Sequence, residues 1–400
     1  MIVEDVRCEP AADGWRLSAA VRAGAELPSA RLHFTVPGAE NDRPPERGWL
    51  PGLDRPPGHD RLPEHDRLPE RGWLPERGDA FLAALLMPAM RLGEDLVVDA
   101  PVSARLLRSA RTVVDIYAAW WERLRPVRVT AAEPVEAPRG PAAVGLFFTL
   151  GVDSFYSLLG DAERRAEPGH RPVTDLLFVN FEQHAGPDHD RLLDRVRRVA
   201  GRSGARAVRV ETDLRAFTAP LVRWEDFHGA ALAATALALQ GLLGRCLIAA
   251  SFDYRHLPPY GSHPVLDHLW STEALEIVHD GADATRTQKV ARRLAHSDLA
   301  LRNLAVCWRD RPGRNCGACE KCLRTMVALE SAGVLGRCGT LPRVLDLDRL
   351  RDVPMGSADA RDAMREAGRD AAALGRPDLA AAAELAADRH GPFPGTAAAP

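Results

Sequence analysis

Lysine is almost missing from this chain of 400 residues. Lys289 and Lys321 are the only two among 52 basic side chains, and arginine supplies the rest. With abundant Ala, Pro and Gly, the skew reads as the codon bias of a GC-rich genome. Against that background a retained lysine marks a place where a compact point charge serves and a planar fork does not. Neither sign of charge dominates: the net charge of −3 gives no support to non-specific nucleic-acid binding. No long uninterrupted apolar run is present. The Ala-rich stretch 229–250 contains Gln240 and Arg245 and breaks at Gly241 and Gly244. It predicts a buried helix followed by a strand, and no membrane span. The first residues, Met1 to Asp5, are acidic with no apolar segment behind them. That predicts no leader and a cytoplasmic address. The seven cysteines are odd in number and favour metal binding over disulfides in a reducing compartment.

What is present has globular values, 46% apolar and 27% charged. Short strands are expected at 2–3, 15–22 and 30–36. Residues 38–78 repeat themselves, with His59-Asp-Arg-Leu-Pro-Glu64 recurring at 65–70 and Arg47-Gly-Trp-Leu-Pro51 at 71–75. So many prolines at a period of six build no packed core, which predicts a mobile, dispensable insertion; Trp49 and Trp73 offer the alternative of a partner-binding arm. A helix at 80–90, a strand at 96–99, a helix at 103–124 and a strand at 125–130 complete an N-terminal α+β accessory domain, 1–135. A Pro-rich linker at 133–141 follows. From there apolar strands (144–148, 176–181, 207–211, 246–251) alternate with helices, which indicates a parallel sheet covered on both faces. This second domain is expected to span 142–335, with a helical extension and a frayed tail over 336–400. In such sheets ligands bind beyond the carboxyl ends of the strands.

Two constellations carry chemistry. The first is Thr149-Leu-Gly-Val-Asp-Ser154 between a strand and a helix. The unpartnered N–H groups of a helix start make an anion site, though an ordinary strand-to-helix turn has the same look. Asp153 is the one carboxylate in it. Such a group beside a phosphate cradle points to Mg²⁺ or a substrate amine. The second is Cys307, Cys316, Cys319 and Cys322, spaced C-x8-C-x2-C-x2-C. Four thiolates at these spacings close a tetrahedron around Zn²⁺, with Gly317 easing the turn; an iron–sulfur cluster or redox cysteines are the alternatives. Lys321 and Arg324 beside it either offset the charge of the Cys₄ site or face a phosphate.

Together the two features resemble the PP-loop ATP pyrophosphatases, whose loop reads Ser-Gly-Gly-x-Asp-Ser. The cysteine motif is similar to that of the 7-cyano-7-deazaguanine synthases. The resemblance covers about residues 143–332. It implies an α/β, parallel doubly wound sheet of the adenine nucleotide α-hydrolase-like (HUP) type, with a zinc knuckle. It also implies ATP, Mg²⁺ and Zn²⁺, and cleavage of ATP between the α- and β-phosphates. A small-molecule carbonyl or carboxylate becomes adenylated and ammonia displaces AMP. A sulfur donor, or a degenerate nucleotide site, is the alternative. By this resemblance Thr149, Leu150, Gly151, Val152, Asp153 and Ser154 cradle phosphate and Asn180 flanks adenine, with Ser251 alongside. Lys289 and Arg286 supply the cations. His263 is a candidate acid/base in a segment, 260–271, that reads as an active-site lid. Leu150 departs from the family pattern, which asks for glycine there. Nothing in the sequence decides the acceptor, and a homodimer is left open.

Overall fold

The computed structural model describes residues 1–12, 14–24, 30–37, 71–136, 138–309 and 314–389. The chain opens with strands β1 (Ile2–Ala11), β2 (Gly14–Arg22) and β3 (Ala30–Pro37). Helix α1 (Asp79–Leu92), β4 (Leu96–Ser103), α2 (Ala104–Trp120) and β5 (Val129–Val135) follow. Then come β6 (Val144–Phe147), α3 (Val152–Arg164), β7 (Asp175–Asn180), α4 (Pro187–Ser203) and β8 (Arg206–Thr212). Next are α5 (Leu214–Thr218), α6 (Trp224–Ala238), β9 (Arg245–Ala249), β10 (Glu276–Asp280), α7 (Arg286–Arg292) and α8 (Asp298–Asn303). The chain ends on α9 (Glu320–Ser331), α10 (Leu347–Asp352), α11 (Ala358–Ala373) and α12 (Pro377–Ala387).

The ten strands among the described residues join one sheet in the order β10-β9-β6-β7-β8-β3-β2-β1-β4-β5. Strands β6 to β10 are parallel to one another, and the near-continuous apolar runs of β6, β7 and β9 suit strands covered on both faces. The first three strands are an antiparallel meander, and β1, β4 and β5 run parallel at the far edge. The seam is the antiparallel pairing of β3 with β8, Phe34 opposite Thr212 and Thr35 opposite Glu211. Side chains pin it: Thr212 Oγ1 donates to the His33 carbonyl at 2.7 Å, and the His33 N–H donates to Asp213 Oδ1 at 3.0 Å. The N-terminal strands thus extend the same sheet as the parallel strands β6 to β10. One core, holding β1–β3, α1, α2 and α6, covers one face; the other, holding α3, α4 and α7–α12, covers the opposite face.

Several local expectations are corrected. The linker at 133–141 begins inside β5, where Glu133, Pro134 and Val135 pair with β4. The helical extension expected after residue 336 holds three helices, α10, α11 and α12, with a turn at Gly375 between the last two. Most of the repeat insertion, Trp49 included, lies outside the described residues, but its end is built in. Leu74 is buried and the Arg206 guanidinium lies 4.7 Å from the Trp73 ring centroid, so Trp73 serves the chain's own fold. The 260–271 segment is packed and not a free lid. Leu266, Asp267 and Trp270 are buried, and Asp267 Oδ2 accepts from Ser262 Oγ at 2.7 Å and lies 2.7 Å from His279 Nδ1.

Candidate anion site and metal centre

Parallel strands place the carboxyl ends of β6, β7 and β9 on one rim. On that rim the loop after β6 turns sharply into α3. The turn is made by Leu150, which holds φ of 61° with its side chain fully buried. This left-handed conformation is a steric cost for any residue with a Cβ, and glycine would avoid it. Burial in the second core and a hydrogen bond from the Ala305 N–H to the Leu150 carbonyl (2.9 Å) hold it there. The departure from the family pattern therefore keeps the glycine-like backbone. Gly151, at the helix N-cap, has ordinary extended angles. A Cβ there would meet Thr149 Oγ1 at 3.5 Å, so glycine is not needed for the turn but keeps the mouth of the loop open. Thr149 is exposed, and Ser154 turns its hydroxyl back to the Gly151 carbonyl at 3.2 Å. Val152 is core.

Asp153, in the first turn of α3, is where separate elements meet. Lys289 Nζ donates to its Oδ1 at 2.9 Å and Arg286 Nη1 to its Oδ2 at 3.0 Å. Both come from α7, whose start is fixed by a capping box between Thr285 and Gln288. Lys289 is 1% exposed and also donates to the Ala250 carbonyl at 2.5 Å. A lysine, not an arginine, fits between a strand-end carbonyl and a carboxylate. Burial raises the pKa of Asp153, but the charges of Lys289, Arg286 and Lys321 outweigh it and hold the carboxyl below its usual range. Two further cations come from α9. Lys321 is pushed down by burial and by the charges of Arg286 and Arg324; Arg324 is pushed down to about 10, mainly by burial. The Nε atoms of Arg286 and Arg324 are buried without a hydrogen-bond partner among the described residues. Lys321 forms no ion pair among them either. Four cations thus crowd one rim, and among the described residues only Asp153 forms an ion pair with any of them. Half-buried cations left short of partners, beside a helix N-terminus, suit an anion.

The fit differs for the groups expected here. Both Asp153 oxygens are engaged by cations, so this carboxylate positions Lys289 and Arg286. The Asn180 amide is also engaged. It donates to the His184 carbonyl (2.9 Å) and Glu211 Oε2 (2.7 Å) and accepts from the His184 N–H (2.9 Å). Asn180 therefore shapes the loop after β7 and leaves little for adenine. Ser251 is exposed on the rim, next to the Ala250 carbonyl that Lys289 uses. His263 is held by contacts of its own segment and of α2. Its Nδ1 accepts from the Val265 N–H at 3.1 Å and its ring packs on Trp120, with centroids 5.0 Å apart. Burial lowers its pKa. Asp226 sits inside the first turn of α6 and pairs with Arg123.

The cysteines meet as their spacing predicts. The four Sγ atoms lie within 4.8 Å of one another, with Cys307–Cys319 at 3.9 Å and Cys316–Cys322 at 3.8 Å. Zn–S bonds of about 2.3 Å in a tetrahedron put sulfurs about 3.8 Å apart. The N–H groups of Ala318 and Cys319 point at Cys316 Sγ at 3.4 and 3.3 Å, which favours the thiolate a metal requires. Gly317 turns there at φ of 66°. The set can hold zinc. It also places α9, because Cys319 is that helix's N-cap and Cys322 lies in its first turn, beside Lys321 and one turn before Arg324 and Thr325.

Against family models, curated proteins and solved structures alike, the chain finds no match.

Proposed function

We propose that the chain is an ATP-dependent ligase of the PP-loop type, forming a C–N bond and releasing AMP and pyrophosphate. The observation that carries this reading is the convergence of Arg286, Lys289, Lys321 and Arg324 at the loop that starts α3. ATP is the co-substrate. A substrate carboxylate or carbonyl oxygen attacks the α-phosphorus, the bond to the β-phosphate oxygen breaks, and pyrophosphate carries off the electron pair. Ammonia or another nitrogen nucleophile then adds to the activated carbon, loses a proton, and AMP leaves.

In this reading the residues divide the work by charge. The N–H groups of Val152, Asp153 and Ser154 and the hydroxyl of Thr149 receive phosphate oxygens. The four cations stabilise charge that grows on the leaving pyrophosphate, which is where pre-set electrostatics contribute most. Asp153 holds Lys289 and Arg286 in place between turnovers. Zinc would be bound by Cys307, Cys316, Cys319 and Cys322 and would act structurally, holding the start of α9. A sulfur-transfer route is less supported. Cys246 and Cys338, its candidate thiols, are both buried, and burial pushes the Cys246 thiol far above its ordinary value.

The test is pyrophosphate and AMP release from ATP with a panel of small carboxylates and ammonia. Wild type, Asp153→Ala and Lys289→Ala are compared. Pyrophosphate release that survives both substitutions would sink the proposal.

A further inference from the structure

Beside the cationic rim lies a second group of ligating side chains that the reaction above does not use. Asp253 and His256 belong to the loop after β9, and Glu366 to α11. Each offers one ligand atom, and the three atoms lie within 4.8 Å of one another. Metal–ligand bonds of about 2.1–2.5 Å put trans ligands about 4–5 Å apart, so one ion can gather all three.

We propose that Asp253, His256 and Glu366 bind one six-coordinate divalent cation of the Mn²⁺ class, at a site separate from the four cysteines. Asp253 is 5% exposed and its carboxylate is held by the loop, with Oδ1 accepting from the Arg255 N–H at 2.9 Å and Oδ2 lying 2.8 Å from His256 Nδ1. Glu366 reaches the same point from a helix far away in sequence. Neither carboxylate pairs with a Lys or Arg among the described residues. Three carboxylates crowd here, since Asp370 also faces Glu366, and burial together with Asp370 and Asp253 disfavours the ionised form of Glu366. Arg324 offsets part of this negative charge without forming an ion pair, and a divalent ion would supply the rest.

The donor set narrows the ion. One imidazole with two carboxylates is too nitrogen-rich for a preference for Ca²⁺ and too hard for the thiolate-loving metals, and it leaves three positions for water or an anion. The ion's neighbour is the anion site: the Arg286 backbone N–H faces Glu366 while its guanidinium holds Asp153. The proposal does not depend on ATP being the anion.

The experiment is Mn²⁺ titration of the zinc-loaded full chain, without nucleotide, followed by the electron paramagnetic resonance signal of the free ion. One Mn²⁺ per chain is expected, with ¹⁴N coupling from the imidazole in pulsed spectra. His256→Ala should abolish that coupling and weaken binding at least about tenfold, the scale on which even outer-shell changes act. His256 is exposed, so its loss should leave folding intact. Glu366→Gln should weaken binding similarly, with zinc content and thermal midpoint unchanged. Absence of Mn²⁺ binding at millimolar ion would overturn the site. So would binding that is the same in wild type and both variants.

Discussion

Lys289 Nζ stands 2.9 Å from Asp153 Oδ1, and the two come from different helices on one rim of the sheet. A lysine that the chain's arginine bias would otherwise have replaced is thereby fixed by a carboxylate on one side and the Ala250 carbonyl on the other. The pair bears on both the proposed reaction and the stability of the chain.

Lys289→Ala is expected to lower pyrophosphate release by about 10²–10³, the usual scale for loss of one pre-set charge or donor. Lys289→Arg should not restore it. The buried gap between Asp153 and Ala250 suits a compact ammonium, and a guanidinium there would clash or push α7 away. Turnover of the arginine variant within threefold of wild type would contradict this.

Asp153 also predicts a pH dependence. Its folded-state pKa is held below the unfolded value by Lys289 and Arg286, against the effect of burial. A depressed carboxyl contributes stability that is present above the unfolded pKa, near 4, and is lost as pH falls through the folded one. Asp153→Asn removes that dependence and leaves Lys289 buried beside a neutral group. It should cost about 3 kcal/mol at neutral pH, the scale for breaking a buried pair, and the difference from wild type should shrink toward acid. Denaturant melts at pH 7 and below pH 4 report it; an unchanged gap across that range would contradict the assignment.

Anion binding should be linked to protons through Lys321. Its folded pKa is lowered by burial and by Arg286 and Arg324. A bound pyrophosphate would offset those charges and raise the pKa again. Binding measured at alkaline pH should therefore take up protons, and affinity should fall as pH rises through the lowered value. Calorimetry in two buffers of different ionisation enthalpy detects the uptake. In Lys321→Met the uptake should vanish, and its persistence there would assign it to another group.

Zinc removal should act on the same rim. Chelation, or Cys319→Ser with Cys322→Ser, frees the start of α9, which carries Lys321 and Arg324. The expected result is one zinc per chain in wild type by elemental analysis. The double variant should lack the metal, melt at a lower temperature and bind pyrophosphate at least about tenfold more weakly. Intact anion binding after full zinc loss would separate the two sites.

How far the sequence carries can be followed residue by residue. The parallel strands were legible because strands buried on both faces read as unbroken apolar runs, and the cysteines because ligand spacing is local. Strand β10 was not, since Glu276-Ile-Val-His-Asp280 mixes polar and apolar residues at the sheet edge. The join of β3 to β8 depends on partners far apart in the chain, and local periodicity carries no record of it. Asn180 read as a strand-end ligand, yet two hydrogen bonds with the His184 backbone and one to Glu211 decide its role. Glu366 was invisible because only the docking of α11 brings it to Asp253.

Leu150 allows the most direct test of the loop. Two opposed terms act on it: a buried side chain that stabilises, and a left-handed backbone that costs. Leu150→Ala keeps the backbone cost and loses the packing, so it should destabilise by about 2–5 kcal/mol. Leu150→Gly deletes one more carbon but recovers about 1–2 kcal/mol of conformational strain, partly offset by the greater freedom of glycine in the unfolded chain. The glycine variant should therefore be at least as stable as the alanine variant, against the order that side-chain burial alone predicts. Equilibrium denaturation of the three proteins settles it. A glycine variant weaker than alanine by about 1 kcal/mol, the ordinary helix-interior penalty, would mean that the Leu150 turn is not strained as described.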